Sequence, residues 1–345
     1  MELSLAMKFR ITLAAALGIA LIGLWAWPLA EPAQPFGAVT ADQINAGAKV
    51  ALILLALATG FFACFLSWPY GKQIAILAAP AGLALWALRG GTVAQMIMLN
   101  PQQAERLKLY AQLKWEPVFW LVIVAAGSLG VMIGQIIAPP RAKPATGESE
   151  SADKPWKPDI FIWVFGALLG PIVREKVAVL NKRLLHRESQ KPQQRPGSTF
   201  TVLSKAMTAL VVSVVIAYIC IGIFARDVEV YDSRLGSVTA QPGVGQIAYA
   251  VFVSFGAAAF LVKLLLNSSC LWPIVSCAFV TAAATGIHAK PAIVEHLAAS
   301  WPAVFCSHPA VAILPVQMVA FGTLGSVAGF WSAVRYQYWR KHELK

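Results

Sequence analysis

Residues 118–138 read VFWLVIVAAGSLGVMIGQIIA, 21 positions without one ionisable side chain. A helix of that length rises about 30 Å, the thickness of the hydrocarbon core of a bilayer. Seven further apolar runs read as spans: 11–28, 48–68, 73–88, 203–224, 246–266, 270–289 and 310–333. The third is short at its apolar centre and extends through Gly90 and Gly91 towards Met98. Composition agrees. Of 345 residues, 58% are hydrophobic and 13% charged, with a mean hydropathy of +0.65. A soluble domain is nearer half apolar and a quarter charged. The expected fold class is therefore all-α: a polytopic membrane protein of about eight transmembrane helices.

The quoted stretch also contains a motif that returns later. Gly127-Ser128-Leu129-Gly130-x-x-x-Gly134 recurs as Gly322-Thr323-Leu324-Gly325-x-x-x-Gly329, at an offset of 195 residues. The same offset carries span 11–28 onto 206–223, 48–68 onto 243–263 and 73–88 onto 268–283. It also matches Ala125 to Ala320 and Gly91 to Gly286. Two four-helix repeats are expected, residues 1–138 and 200–345, joined by a cytoplasmic linker over 139–199. Four is even, so both halves enter the membrane from one side and form a parallel repeat. Glycines spaced small-xxx-small let helix backbones approach closely. Gly127, Gly130, Gly134, Gly322, Gly325 and Gly329 are thus read as packing residues, with the two glycine faces meeting near the axis between the halves.

The net charge of +12 is distributed by topology, with no aromatic interleaving of the kind that binds nucleic acid. With eight spans and a cytoplasmic N-terminus, 20 of the 28 Lys and Arg lie inside and 8 outside. That is the positive-inside pattern of a plasma (inner) membrane protein with both termini cytoplasmic. The first run is read as a retained signal anchor, because Pro28-Leu29-Ala30 makes a poor cleavage site. The run 161–173 is too short to cross and is followed by Arg174, Glu175 and Lys176. Segment 160–188 is read as interfacial or re-entrant. Its Arg174, Lys176, Lys182, Arg183 and Arg187, within 171–188, suit the anionic headgroups of a cytoplasmic leaflet.

Outside, Asn100-Pro101 reads as a helix start, and Leu107, Tyr110 and Leu113 share one face of an amphipathic helix on the membrane surface. Trp115 and Trp120 would anchor it, and 290–309 with Trp301 is its weaker counterpart.

Chemistry-bearing motifs are sparse. The five cysteines form no CxxC pair, and His288, Glu295, His296 and His308 lack a metal-ligand spacing. Residues 227–232 hold three carboxylates without the glycine of a calcium loop. There is no P-loop and no GxSxG elbow. Arg89 and His288 lie near the outer ends of matching spans and form a possible outer-face polar site. The expectation is a non-catalytic membrane subunit, structural or partner-binding, that uses no cofactor. Its partners would be lipid, another membrane protein or a second copy of itself. The alternative is a transporter or channel with its path between the two repeats.

Overall fold

The computed structural model describes residues 5–32, 37–68, 71–137 and 199–342. Its helices belong to one compact unit drawn from Met1–Pro139 and Val202–Lys345. Segment 160–188, with Arg174, Lys176, Lys182, Arg183 and Arg187, lies outside the described residues.

The fold is helical, as the apolar runs dictate. Helix α1 (Leu5–Gly18) continues into a π-helical stretch, Ile19–Trp25. Helices α2 (Ala46–Leu66), α3 (Ala78–Arg89), α4 (Val93–Leu99) and α5 (Gln103–Ile137) complete the first half. Helices α6 (Thr199–Phe224), α7 (Val244–Leu266), α8 (Leu271–His288), α9 (Pro291–Ser300) and α10 (Pro315–His342) make the second. Among the described residues six helices are long and apolar enough to cross a membrane, and Ala75–Arg89 with Val93–Leu99 makes a seventh candidate, bent by 49°. A multi-pass membrane protein follows. Helix α10 is long enough, 28 residues or about 42 Å, but less apolar than the others. The burial pattern explains this. Residues 316–323 of α10 are buried without a break, so its Gln317, Thr323 and Ser326 meet protein rather than lipid.

Pairing follows the glycines. In the first half, Gly130 lies against the Leu57 carbonyl and Gly60 against that of Gly127, while a Cβ at Gly134 would sit 3.2 Å from the Phe61 carbonyl. In the second, Gly325 lies against the Phe252 carbonyl, Gly329 against that of Gly256, and a Cβ at Gly322 would sit 3.2 Å from the Phe255 ring. Helix α5 is thus seated on α2, and α10 on α7. The expected contact between the two glycine faces is corrected here: each face serves the second span of its own half. The reason is geometric. A face that admits a backbone carbonyl at contact distance has no room for a second helix. The fourth and eighth spans do touch, but not glycine face to glycine face: the halves meet through α10 against α3 and α5, and α8 against α5.

Two further differences concern the loops. The segment expected as a surface helix is instead the first turns of α5, which runs 35 residues, about 52 Å, through Pro117 without interruption. Tyr110 and Leu113 turn into the protein core, so this apolar face is satisfied by the chain itself. Asn100 does not start that helix; it closes α4, its Nδ2 donating to the Met96 carbonyl at 2.8 Å. A small antiparallel sheet was not expected. Strands β1 (Glu229–Asp232) and β2 (Gly236–Ala240) form a hairpin, and β3 (Phe305–Cys306) pairs with β2. In β1 half-buried Val230 and buried Asp232 alternate with exposed Glu229 and Tyr231, while β2 buries both Val238 and Thr239, a pattern that four- and five-residue strands express only weakly in sequence.

Candidate functional site

Most side-chain hydrogen bonds between distant segments of the described residues concentrate at one end of the unit. Loops 37–44, 90–102, 225–243 and 289–314 meet there. The break between α3 and α4 organises this end. Gly91 has φ +74°, a left-handed conformation that a side chain resists, and a Cβ there would lie 2.8 Å from Gln95 Oε1. The next residue restarts the helix with a capping box: Thr92 Oγ1 accepts from Gln95 N, and Gln95 Oε1 accepts from Thr92 N. The free carbonyl of Gly90 takes the Val39 N–H at 2.9 Å.

Two glutamines of the second half tie this break down. Gln317, fully buried in α10, accepts from Leu314 N and donates from Nε2 to the Ala87 carbonyl at 3.1 Å. Gln241 accepts from Ala94 N at 3.3 Å and donates to the Ala312 carbonyl at 2.9 Å. An amide presents donor and acceptor together, so one side chain closes two orphaned backbone groups.

The possible site of Arg89 and His288 comes apart. Arg89 stacks its guanidinium over the Trp27 ring, 4.4 Å from the centroid. Trp27 meets Trp86 edge-on, and the Trp86 indole N–H donates to the Gly23 carbonyl at 3.1 Å. That carbonyl lies in the π-helical stretch, where widened turns loosen the internal ladder. His288 belongs to another cluster. Its Nε2 lies 2.6 Å from the Tyr218 hydroxyl, and its ring stacks on His308 with centroids 4.5 Å apart. Tyr218 stacks on His308 at 5.0 Å, nearly parallel. Gly222, one turn beyond Tyr218, leaves the gap that the His308 ring fills. His308 Nδ1 accepts from Ala310 N, fixing the proton of a neutral ring on Nε2. Burial, with the nearby charges of His288 and Arg226, pushes His308 down to about 4.

His296 and Glu295, grouped with these histidines in sequence, point elsewhere. His296 Nε2 lies 2.9 Å from Asp232 Oδ2, which also accepts from the Trp301 indole at 2.7 Å. Asp232 Oδ1 takes the N–H groups of Arg234 and Leu235. These bonds, that of Trp301 foremost, hold the Asp232 carboxyl well below the usual carboxylate range. Asp232 therefore knots the hairpin to α9; it faces its own loop and not a cation. Trp301, expected at the membrane surface, is spent on this knot.

Sequence reasoning missed Glu116. It is 9% exposed, at the junction where α5 passes Pro117. Its Oε1 accepts from Ala41 N at 2.8 Å and from the Trp120 indole at 2.9 Å. It lines a cleft of about 310 Å³ with Thr40, Met96, Asn100, Leu109 and Gln112. The signal was present: a lone carboxylate one residue before an apolar run, with a tryptophan four residues on. Compared with known protein families, curated proteins and solved structures, the chain has no match.

Proposed function

We propose that the chain is a non-catalytic multi-pass membrane subunit that binds partners at its loop end. In this reading eight spans form two parallel four-helix repeats, with both termini and segment 174–199 on the cytoplasmic side of the plasma (inner) membrane. The basic residues of 171–188 then rest on anionic headgroups, and the loop end faces out.

The observation that carries the reading is how the polar groups are distributed. Along the spans, helices close on one another through backbone at the glycine faces and buried hydroxyls such as Thr59, Ser213, Thr281 and Thr285 bond back to their own helix, whereas most side-chain hydrogen bonds between distant segments gather at the loop end. Such a body is suited to hold a surface in place. The repeat is supported by equivalent contacts: Leu57 meets Gly130 as Phe252 meets Gly325, and Phe61 meets Gly134 as Gly256 meets Gly329, every position displaced by 195. Purification of the full chain in mild detergent tests the binding role; a protein partner or second copy recovered in fixed ratio is expected, and a monomer with lipid alone would count against it. For topology, Gln193→Cys on a cysteine-free background should react only after the membrane is opened. Labelling by an impermeant reagent from outside would remove the eight-span reading.

A second reading, transport between the repeats, has one specific observation in its favour. A span broken at Gly90 and Gly91 leaves helix termini inside the fold, as substrate sites of transporters do. Solute flux in proteoliposomes that is abolished by Gly91→Ala would favour it over the subunit reading.

A further inference from the structure

The cleft beside Glu116 has a floor and a rim of different character. Thr40, Met96, Leu109 and Glu116 are buried and form the floor, while Asp42, Gln43, Glu105, Lys108 and Gln112 are exposed around the mouth. Its volume of about 310 Å³ is at the small end of the range for ligand sites, enough for a compact solute.

Glu116 does more than its structural contacts require. Both hydrogen bonds, from Ala41 N and from the Trp120 indole, end on Oε1. Oε2 accepts none from the described residues, in a side chain more than nine-tenths buried and lining the cleft. A glutamine carbonyl would cap Ala41 and hold Trp120 equally well. A carboxylate in that place carries an extra charge and an extra acceptor, which are costly to bury unless something meets them. Lys49 on α2 does not line the cleft and lies over the Phe119 ring; its charge reaches Glu116 only as the least of the influences on that carboxyl. Within the cleft three carboxylates, Asp42, Glu105 and Glu116, face the single ammonium of Lys108; burial pushes the Glu116 carboxyl up to about 7, so the net charge of the cleft is −2 above that pH.

The geometry points to a binding site for a small organic diamine, one ammonium on Glu116 Oε2 at the floor and the other between Asp42 and Glu105 at the rim. Its short methylene chain crosses Met96 and Leu109. The two charges match the net charge of the cleft. Among the described residues no three acidic, histidine or cysteine side chains come together to hold one metal ion, so carboxylates set apart at floor and rim suit two separated ammonium groups better than a bare cation. This inference is independent of partner binding, since the cleft is formed by one copy of the chain.

The experiment uses the full chain in detergent at low ionic strength, with putrescine as probe and butane-1,4-diol as the uncharged analogue of equal length. Saturable binding by calorimetry is expected for putrescine and none for the diol. Glu116→Gln should weaken putrescine binding at least tenfold while leaving the ligand-free melting temperature close to that of the parent. If that variant does not fold, the rim pair Asp42→Asn with Glu105→Gln must weaken binding several-fold. Absence of saturable binding, equal binding by the folded Glu116→Gln or rim variants, or equal binding of the diol would overturn the proposal. So would displacement of putrescine by calcium chloride at lower concentration than putrescine itself.

Discussion

The third spans of the two halves start from matching sequence positions and end differently. Helix α3 stops at Arg89, turns through Gly90 and Gly91, and resumes as α4 at 49°. Helix α8 runs through the matching Gly286 without interruption to His288. Glycine alone does not explain the break, since both have it. What differs is the surroundings. Gly91 is held at positive φ beside Ala38, with Val39 bonded to Gly90 and the Thr92–Gln95 capping box restarting the helix. Around Gly286 nothing approaches within 4 Å, and Thr285 bonds back to its own helix at the Thr281 carbonyl. A broken span hands its freed groups to Val39, Gln241 and Gln317; an unbroken one delivers His288 to Tyr218 and His308. Equal helices thus end in unequal chemistry.

The comparison can be broken most forcefully at the glycine faces, which are the same in both halves. Gly130→Leu and Gly325→Leu should each cost about 3 kcal/mol or more, because a carbonyl of the neighbouring helix fills the space. Val131→Leu should cost less than about 1.5 kcal/mol. Chemical or thermal unfolding in detergent compares the three; a harmless Gly325→Leu would void the seating of α10 on α7. Next comes Gln317→Leu, which leaves Leu314 N and the Ala87 carbonyl without partners and should destabilise by about 2 kcal/mol.

The break itself gives opposite signs in the two halves. Gly91→Ala should destabilise by about 1–2 kcal/mol, since alanine resists positive φ. Gly286→Ala should stabilise by roughly 0.5–1 kcal/mol, being an open position in a continuous helix. Equal signs would mean that the loop, and not the backbone at Gly91, makes the break.

The last effect is absent at neutral pH and concerns His308. Its folded value, about 4, lies below its ordinary one, so the unfolded chain binds the proton first. Stability should therefore be full above the ordinary histidine range and decline as pH falls towards about 4. His308→Asn retains an acceptor for Ala310 N and should flatten melting temperature across that window. An unchanged slope would move the effect to His288 or another group.

The helical runs were legible because membrane spans are written as long uncharged stretches, and 246–266 or 270–289 fall within two residues of the observed helices. The glycine motifs were legible as close-packing faces, yet nothing in a spacing names the partner helix. Helix α10 shows a different limit: its polar residues are tolerable only because neighbours cover them, a fact of tertiary structure. The site was least legible. Glu116 and Asp232 look like ordinary loop carboxylates until Ala41, His296 and Trp301 are brought to them from distant positions.

The bond from Gln317 to the Ala87 carbonyl spans 230 residues of chain. At ribosomal speeds of roughly 5–20 residues per second, α3 waits on the order of ten seconds or more for the group that completes it. Until then its last turn holds a carbonyl with no partner, and the broken span has no clasp. Helix α10, less apolar than the others, enters a membrane already holding the neighbours that shield it. Nascent chains stopped before Pro315 should accordingly be cut by added protease near Gly90 and Gly91, and chains carried past His342 should not. Completion of the first half is thus an event in the synthesis of the second.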